Sequence, residues 1–64
     1  MKLIHFGKFI IKAESVCAVV LKEEIEDERV IEIITVHGTG FSESFKPDEA
    51  KRMMEIINAI LSAI

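Results

Sequence analysis

The residues in this chain that could carry chemistry are few and lie far apart in the sequence. His5 and His37 are the only imidazoles and Cys17 is the only thiol. If the first and third predicted strands were neighbours, the three side chains could form a soft metal site, and a nearby histidine could activate the thiol as a nucleophile. Structural zinc needs four closed ligand positions, which this set does not supply. The apolar run around Cys17 favours a small, inert core residue, so we expect no metal, cofactor or catalytic residue.

Two further patterns, a Gly38-Thr39-Gly40 segment and an acidic run over residues 22–28, have simple structural interpretations. Phosphate-binding loops place their glycines between a strand and a helix. A strand is predicted after Gly40, which favours a hairpin turn. The acidic run lacks the Asp/Asn spacing and central glycine of a calcium loop, and like charges resist packing, so we interpret it as a solvated hairpin tip. Such a tip is unsuited to general acid–base catalysis, and the chain is predicted not to be an enzyme.

Charge and composition exclude several classes of partner. The 64-residue chain has a net charge of −3, and it contains no dense Lys/Arg cluster that could displace the counterions of a duplex. Lys2, Lys8 and Lys12 give residues 1–21 a positive balance, whereas residues 22–45 are strongly acidic. No apolar run reaches the roughly 18–20 residues of a membrane span, and the N-terminal stretch is too interrupted for a signal peptide. We expect a cytoplasmic protein that binds neither duplex nucleic acid nor membranes.

The hydrophobic pattern predicts short strands followed by one helix. A period of two residues extends to Phe45 and changes to 3.6 residues at Pro47. We therefore predict an α+β fold, an antiparallel meander of four to five short strands followed by one C-terminal helix packed on one sheet face. Residues 1–64 would form a single β-β-β-β-α domain. The predicted strands cover 2–6, 9–12, 16–22, 29–37 and 41–45, where the second can continue into the third, and the predicted helix covers 48–63.

The predicted helix is more apolar than a small monomer requires. Its main stripe consists of Ala50, Met53, Met54, Ile57, Ile60, Leu61 and Ile64. Ile57 lies near the middle of this stripe and is predicted to be buried against the sheet. Ile56, Ala59 and Ala63 widen the stripe on one flank, and the two alanines are small enough, at a spacing of four, to let another backbone approach. This second set of residues predicts a partner surface.

The strand predicted over 29–37 is apolar on both faces, which also indicates a partner. Ile31 and Ile33 share one face, and Val30 and Ile34 share the other. One helix covers only one sheet face, and the other face is either covered by a second copy or left as an apolar patch. We name Ile31 and Ile33 for the interface, although the pattern leaves open which sheet face lies in it. A domain this small has a marginal core and no second cysteine for a disulfide, which leaves oligomerisation as its means of stabilisation.

These observations predict a small non-enzymatic accessory or interaction module that associates with itself, as a homodimer. The predicted interface contains Ile56, Ala59, Ala63, Ile31 and Ile33. An unidentified protein could be a further partner. The alternative is a small single-stranded nucleic-acid-binding protein that uses strand phenylalanines and the three N-terminal lysines. The phenylalanines concerned are Phe6, Phe9, Phe41 and Phe45, for which core packing is the simpler interpretation.

Overall fold

The structure is a computed structural model that describes residues 2–64. Its elements follow the predicted order of strands and then a helix. They are β1 (Leu3–Phe6), β2 (Phe9–Lys12), a 3₁₀ turn (Ala13–Ser15), β3 (Val16–Ile25), β4 (Glu28–Thr35), β5 (Gly40–Phe45) and α1 (Pro47–Ser62). This order, with α1 packed against the sheet, confirms the α+β fold class. Within residues 2–64, no helix has the length and apolar character needed to cross a bilayer.

The strands form two antiparallel sheets, where a single meander was expected. The hairpin β1–β2 is one sheet, and β3-β4-β5 forms the other in sequential order. The turn between β1 and β2 is at Gly7, which has a φ of 60°, a conformation that glycine adopts without steric cost. The 3₁₀ turn separates β2 from β3. Side chains of the hairpin pack in the same core as those of the larger sheet. Ser15 then anchors the start of β3, because its carbonyl accepts a 2.8 Å hydrogen bond from the Val36 amide.

The core lies between α1, the hairpin and one face of the larger sheet. Its fully buried large side chains are Phe6, Ile4, Ile31, Ile33 and Ile57. The alternation predicted for β1 is confirmed, since Ile4 and Phe6 are buried and Leu3 is exposed. The main helix stripe also faces inward as predicted, except that Ile64 lies beyond the end of α1 and is exposed.

β3 differs from the sequence expectation at two places, and both have bulges. Val16 pairs with Thr35 and Ala18 pairs with Ile34, which leaves Cys17 without an opposite residue. A bulged residue is turned out of the ladder, and Cys17 is exposed. The interpretation of Cys17 as a small core residue was therefore wrong.

The second bulge is at Lys22, within the acidic run. There Leu21 pairs with Ile31 and Glu23 pairs with Val30. The run is the exposed end of the β3–β4 hairpin, as expected, but the strands extend further into it than predicted, because β3 continues to Ile25 and β4 begins at Glu28. Only residues 26 and 27 form the turn. The acidic side chains therefore project from a two-stranded arm.

Helix α1 begins one residue earlier than predicted, at Pro47. Proline suits the first turn because its φ is fixed near the helical value, and Asp48 and Glu49 place negative charge at the positive end of the helix dipole. The Lys46 amide donates a 3.4 Å hydrogen bond to Glu49 Oε1. Glu49 therefore fixes the point at which the chain leaves β5 and enters the helix.

Candidate self-association surface

The predicted flank of α1 lies on the protein surface. Ile56 is 45% exposed, whereas its neighbour Ile57 is only 1% exposed. Ala59 and Ala63 are also exposed; the spacing of Ala59 from Ile56 places it on the same side of the helix, and Ala63 is the C-cap residue that follows α1. The three side chains form an apolar strip that the chain itself leaves uncovered. Whether a second copy covers it stays a prediction.

Ile31 and Ile33 are located differently from the sequence-based assignment. Both are 0% exposed and belong to the core that α1 and the hairpin cover. They therefore cannot contact a second copy while the chain remains folded, and this part of the assigned interface is corrected. The reason is geometric, because a strand with two apolar faces does not indicate which face the helix will take. The structure places Ile57 over the face that carries Ile31 and Ile33.

The opposite face of the larger sheet carries Val30, Glu32 and Ile34, all partly buried by their neighbours in the sheet. The Ser42 hydroxyl donates a 3.5 Å hydrogen bond to Glu32 Oε2 across the β4–β5 pair. Val20 pairs with Glu32 in the register. A carboxylate thus lies at the centre of this face, which makes it a less uniform apolar surface than the helix flank.

Ile56 belongs to a surface concavity of about 380 Å³ between α1 and the end of β5. Phe45 and Met53 line this concavity with it and supply further apolar surface. Phe45 is held in place from behind by Phe6, because the two ring centroids are 5.6 Å apart. Core packing therefore fixes the position of Phe45 in the wall of the concavity.

A second concavity adjoins the first and shares Phe45 and Glu49 with it. Ile25, 54% exposed at the end of β3, extends the apolar surface to the tip of the β3–β4 arm. We call the two concavities together the acidic groove. The charged side chains that line it are five carboxylates, Glu26, Asp27, Glu28, Asp48 and Glu49, and two cations, Lys46 and Arg52.

The carboxylates of the acidic groove have no ion-pair partner within residues 2–64. The ion pair in this part of the chain joins Arg29 Nε to Glu24 Oε2 at 3.8 Å, outside the groove lining. The groove therefore combines an apolar floor with an excess of uncompensated negative charge. A partner that fills it should carry apolar side chains together with lysine or arginine.

The residues considered for chemistry do not converge in the structure. Among residues 2–64, no group of three or more His, Cys, Asp and Glu side chains could hold a metal ion. His5 is exposed on the outer side of β1, and Cys17 lies at the start of β3. These positions give no support to metal binding or to a histidine-activated thiol.

The four phenylalanines pack in two pairs against the core. Phe6 contacts Phe45, and Phe9 contacts Phe41 with ring centroids 4.9 Å apart. Lys8 Nζ lies 5.6 Å from the centroid of Phe9, a cation–π contact made within the chain. The rings that the single-stranded nucleic-acid alternative requires are therefore engaged with one another, and Phe6 has no exposed surface.

Met53 lies three residues before Ile56 on the same helix, a spacing that makes the two neighbours. Sequence reasoning did not identify Phe45 or Ile25 as parts of the groove, because β5 and β3 meet α1 only in the folded chain and no local pattern signals that meeting. The one available hint was Ile25, an isolated apolar residue inside the acidic run.

Comparison with models of known protein families, with curated proteins and with solved structures finds no match to this chain.

Proposed function

We propose that this protein is a small non-enzymatic interaction module that associates with itself, and that the exposed flank of α1 lies in the contact. The observation that carries the proposal is the exposure of Ile56 beside Phe45 and Met53 in a surface concavity. Adjacent Ile57 is buried, so the helix presents large apolar side chains on two sides. Exposed apolar surface next to a concavity is typical of an interaction site.

The size of the chain supports the same proposal. A stable interface covers about 800 Å² on each partner, which is roughly a fifth of the 4401 Å² surface of this chain. Burial of that much surface would add substantially to a core with few fully buried large side chains. A cytoplasmic location is part of the proposal, since the single cysteine leaves the chain without an intrachain disulfide of the kind that is common in secreted small domains.

Substitution of Ile56 by lysine tests the proposal. Ile56→Lys would place a charge in the apolar contact, and we expect the associated form to dissociate. Lys51→Glu is the matched control, because Lys51 is exposed on α1 outside the groove lining and its substitution also alters charge. Sedimentation equilibrium gives the mass of each variant, and the far-ultraviolet circular dichroism spectrum shows whether each remains folded.

The proposed function predicts a folded monomer for Ile56→Lys and unchanged association for Lys51→Glu. If the wild-type chain is itself a folded monomer, the proposal of self-association is wrong. If the wild-type chain and folded Ile56→Lys associate equally, the contact does not involve this flank of α1.

A further inference from the structure

The outer face of the β1–β2 hairpin is apolar and basic. Leu3 is opposite Lys12, and His5 is opposite Ile10, so these four side chains point to the same side of the hairpin. Leu3 is 43% exposed and Ile10 is 64% exposed. Lys12 is the lysine that the strand pairing places on this face, exposed Lys2 precedes Leu3 in the chain, and residues 2–12 contain no carboxylate. We call this surface the basic hairpin face.

The basic hairpin face has the composition that the acidic groove requires of a partner. The groove offers Ile25, Phe45 and Ile56 as apolar surface and an excess of carboxylates around them. The hairpin face offers two exposed aliphatic side chains, flanked by Lys2 and Lys12. Apolar residues at the centre with charges of opposite sign at the rim are typical of protein interfaces.

We propose that the acidic groove of one copy binds the basic hairpin face of a second copy. This inference rests on the proposed self-association and names the two surfaces that meet. In a dimer with a two-fold axis, each hairpin would lie in the other copy's groove, so that the contact is made twice.

Reciprocal charge reversal tests the proposal. The groove variant carries Glu26→Lys and Glu28→Lys, and the hairpin variant carries Lys2→Glu and Lys12→Glu. All four side chains are exposed. Each variant alone would pair like charges at both contacts, and we expect its association constant to fall about tenfold or more. A one-to-one mixture pairs opposite charges at both contacts, and it should associate within about threefold of the wild-type chain.

Two control variants carry the same charge changes at exposed positions outside both surfaces. Glu14→Lys with Glu23→Lys matches the groove variant, and Lys22→Glu with Lys51→Glu matches the hairpin variant. Because net charge changes equally in each matched pair, the controls separate the proposed contact from long-range repulsion. We expect both controls to associate as the wild-type chain does.

Sedimentation equilibrium of the full chain distinguishes the outcomes, with circular dichroism to verify folding. Loss of association in each contact variant, with recovery in the mixture, supports the proposal. Association of either folded contact variant at the wild-type level overturns it and leaves self-association itself intact. Equal loss in the matched controls also overturns it, since net charge would then decide association. A monomeric wild-type chain would remove the proposed function as well.

Discussion

Truncation of Ile57 to alanine should remove a large part of the stability of this protein. Ile57 is 1% exposed, at the centre of the helix stripe that packs on the core. Loss of three buried carbon atoms at about 0.8 kcal/mol each gives about 2.4 kcal/mol of lost transfer free energy. The cavity left behind raises the expected cost to roughly 2–5 kcal/mol. A chain of this length has a total unfolding free energy of roughly 3–10 kcal/mol.

Ile56→Ala is the matched control, because the neighbouring position has the same side chain on the same helix. Ile56 is 45% exposed, so we expect its truncation to cost less than about 1 kcal/mol in the dissociated chain. Both substitutions gain the same few tenths of a kcal/mol in helix propensity, which cancels in the comparison. Because association also stabilises the folded state, the difference between the variants must be read at low protein concentration.

Urea denaturation followed by circular dichroism measures both variants. If Ile57→Ala leaves too little folded protein, Ile57→Val should still be measurable, with an expected loss of about 0.5–1.5 kcal/mol. A cost below about 1 kcal/mol for Ile57→Ala would show that this side chain is not in the core. Equal costs for Ile56→Ala and Ile57→Ala would refute the assignment of the two helix faces.

Three further predictions concern a turn, the thiol and nucleic acid. Gly7→Ala should cost about 1–2 kcal/mol in thermal or urea unfolding, because alanine is strained at its left-handed φ of 60°; the atoms nearest a Cβ there belong to the end of the Glu43 side chain, which can shift. Gly38→Ala, with a φ of 88° and open space around it, should cost a similar amount, and no loss of stability at either position would contradict its left-handed backbone. Cys17 should react with a water-soluble disulfide reagent without denaturant, and protection until the chain unfolds would contradict its exposure. Duplex DNA should not bind at physiological salt, and salt-sensitive micromolar binding would contradict the argument from charge.

The helix and the order of elements were predictable because they depend on local periodicity. The change from a period of two to one of 3.6 at Pro47 identifies α1 to within one residue at each end. The burial of Ile57 follows from its place in the stripe. These features need no knowledge of which elements pack together, and the structure confirms them.

The features that depend on pairing register could not be obtained in the same way. Exposure of Cys17 depends on a bulge, which is defined only once β3 is aligned with β4. The period-two pattern of β4 leaves the choice of helix-facing side open, so Ile31 and Ile33 were assigned to the wrong side. The acidic groove arises where β3, β5 and α1 meet, and no single segment contains its pattern.

The acidic run illustrates how tertiary pairing overrides local composition. Its high charge predicts a solvated hairpin tip, and its side chains are exposed at the end of the β3–β4 hairpin, yet backbone pairing with β4 continues further than predicted, through Glu24 and Ile25. In a two-stranded arm the carboxylates can point to solvent while the backbone hydrogen bonds are made. Charge alone therefore does not distinguish an exposed strand from a loop.

The mass of the wild-type chain in solution tests the central claim of self-association most directly. Sedimentation equilibrium at low micromolar concentration should give a mass of about twice 7.2 kDa, with a folded circular dichroism spectrum. Dilution should shift the mass towards the monomer, since association follows mass action. A constant mass of 7.2 kDa for the folded chain across the concentration range would contradict the claim and leave the exposed flank of α1 without a partner.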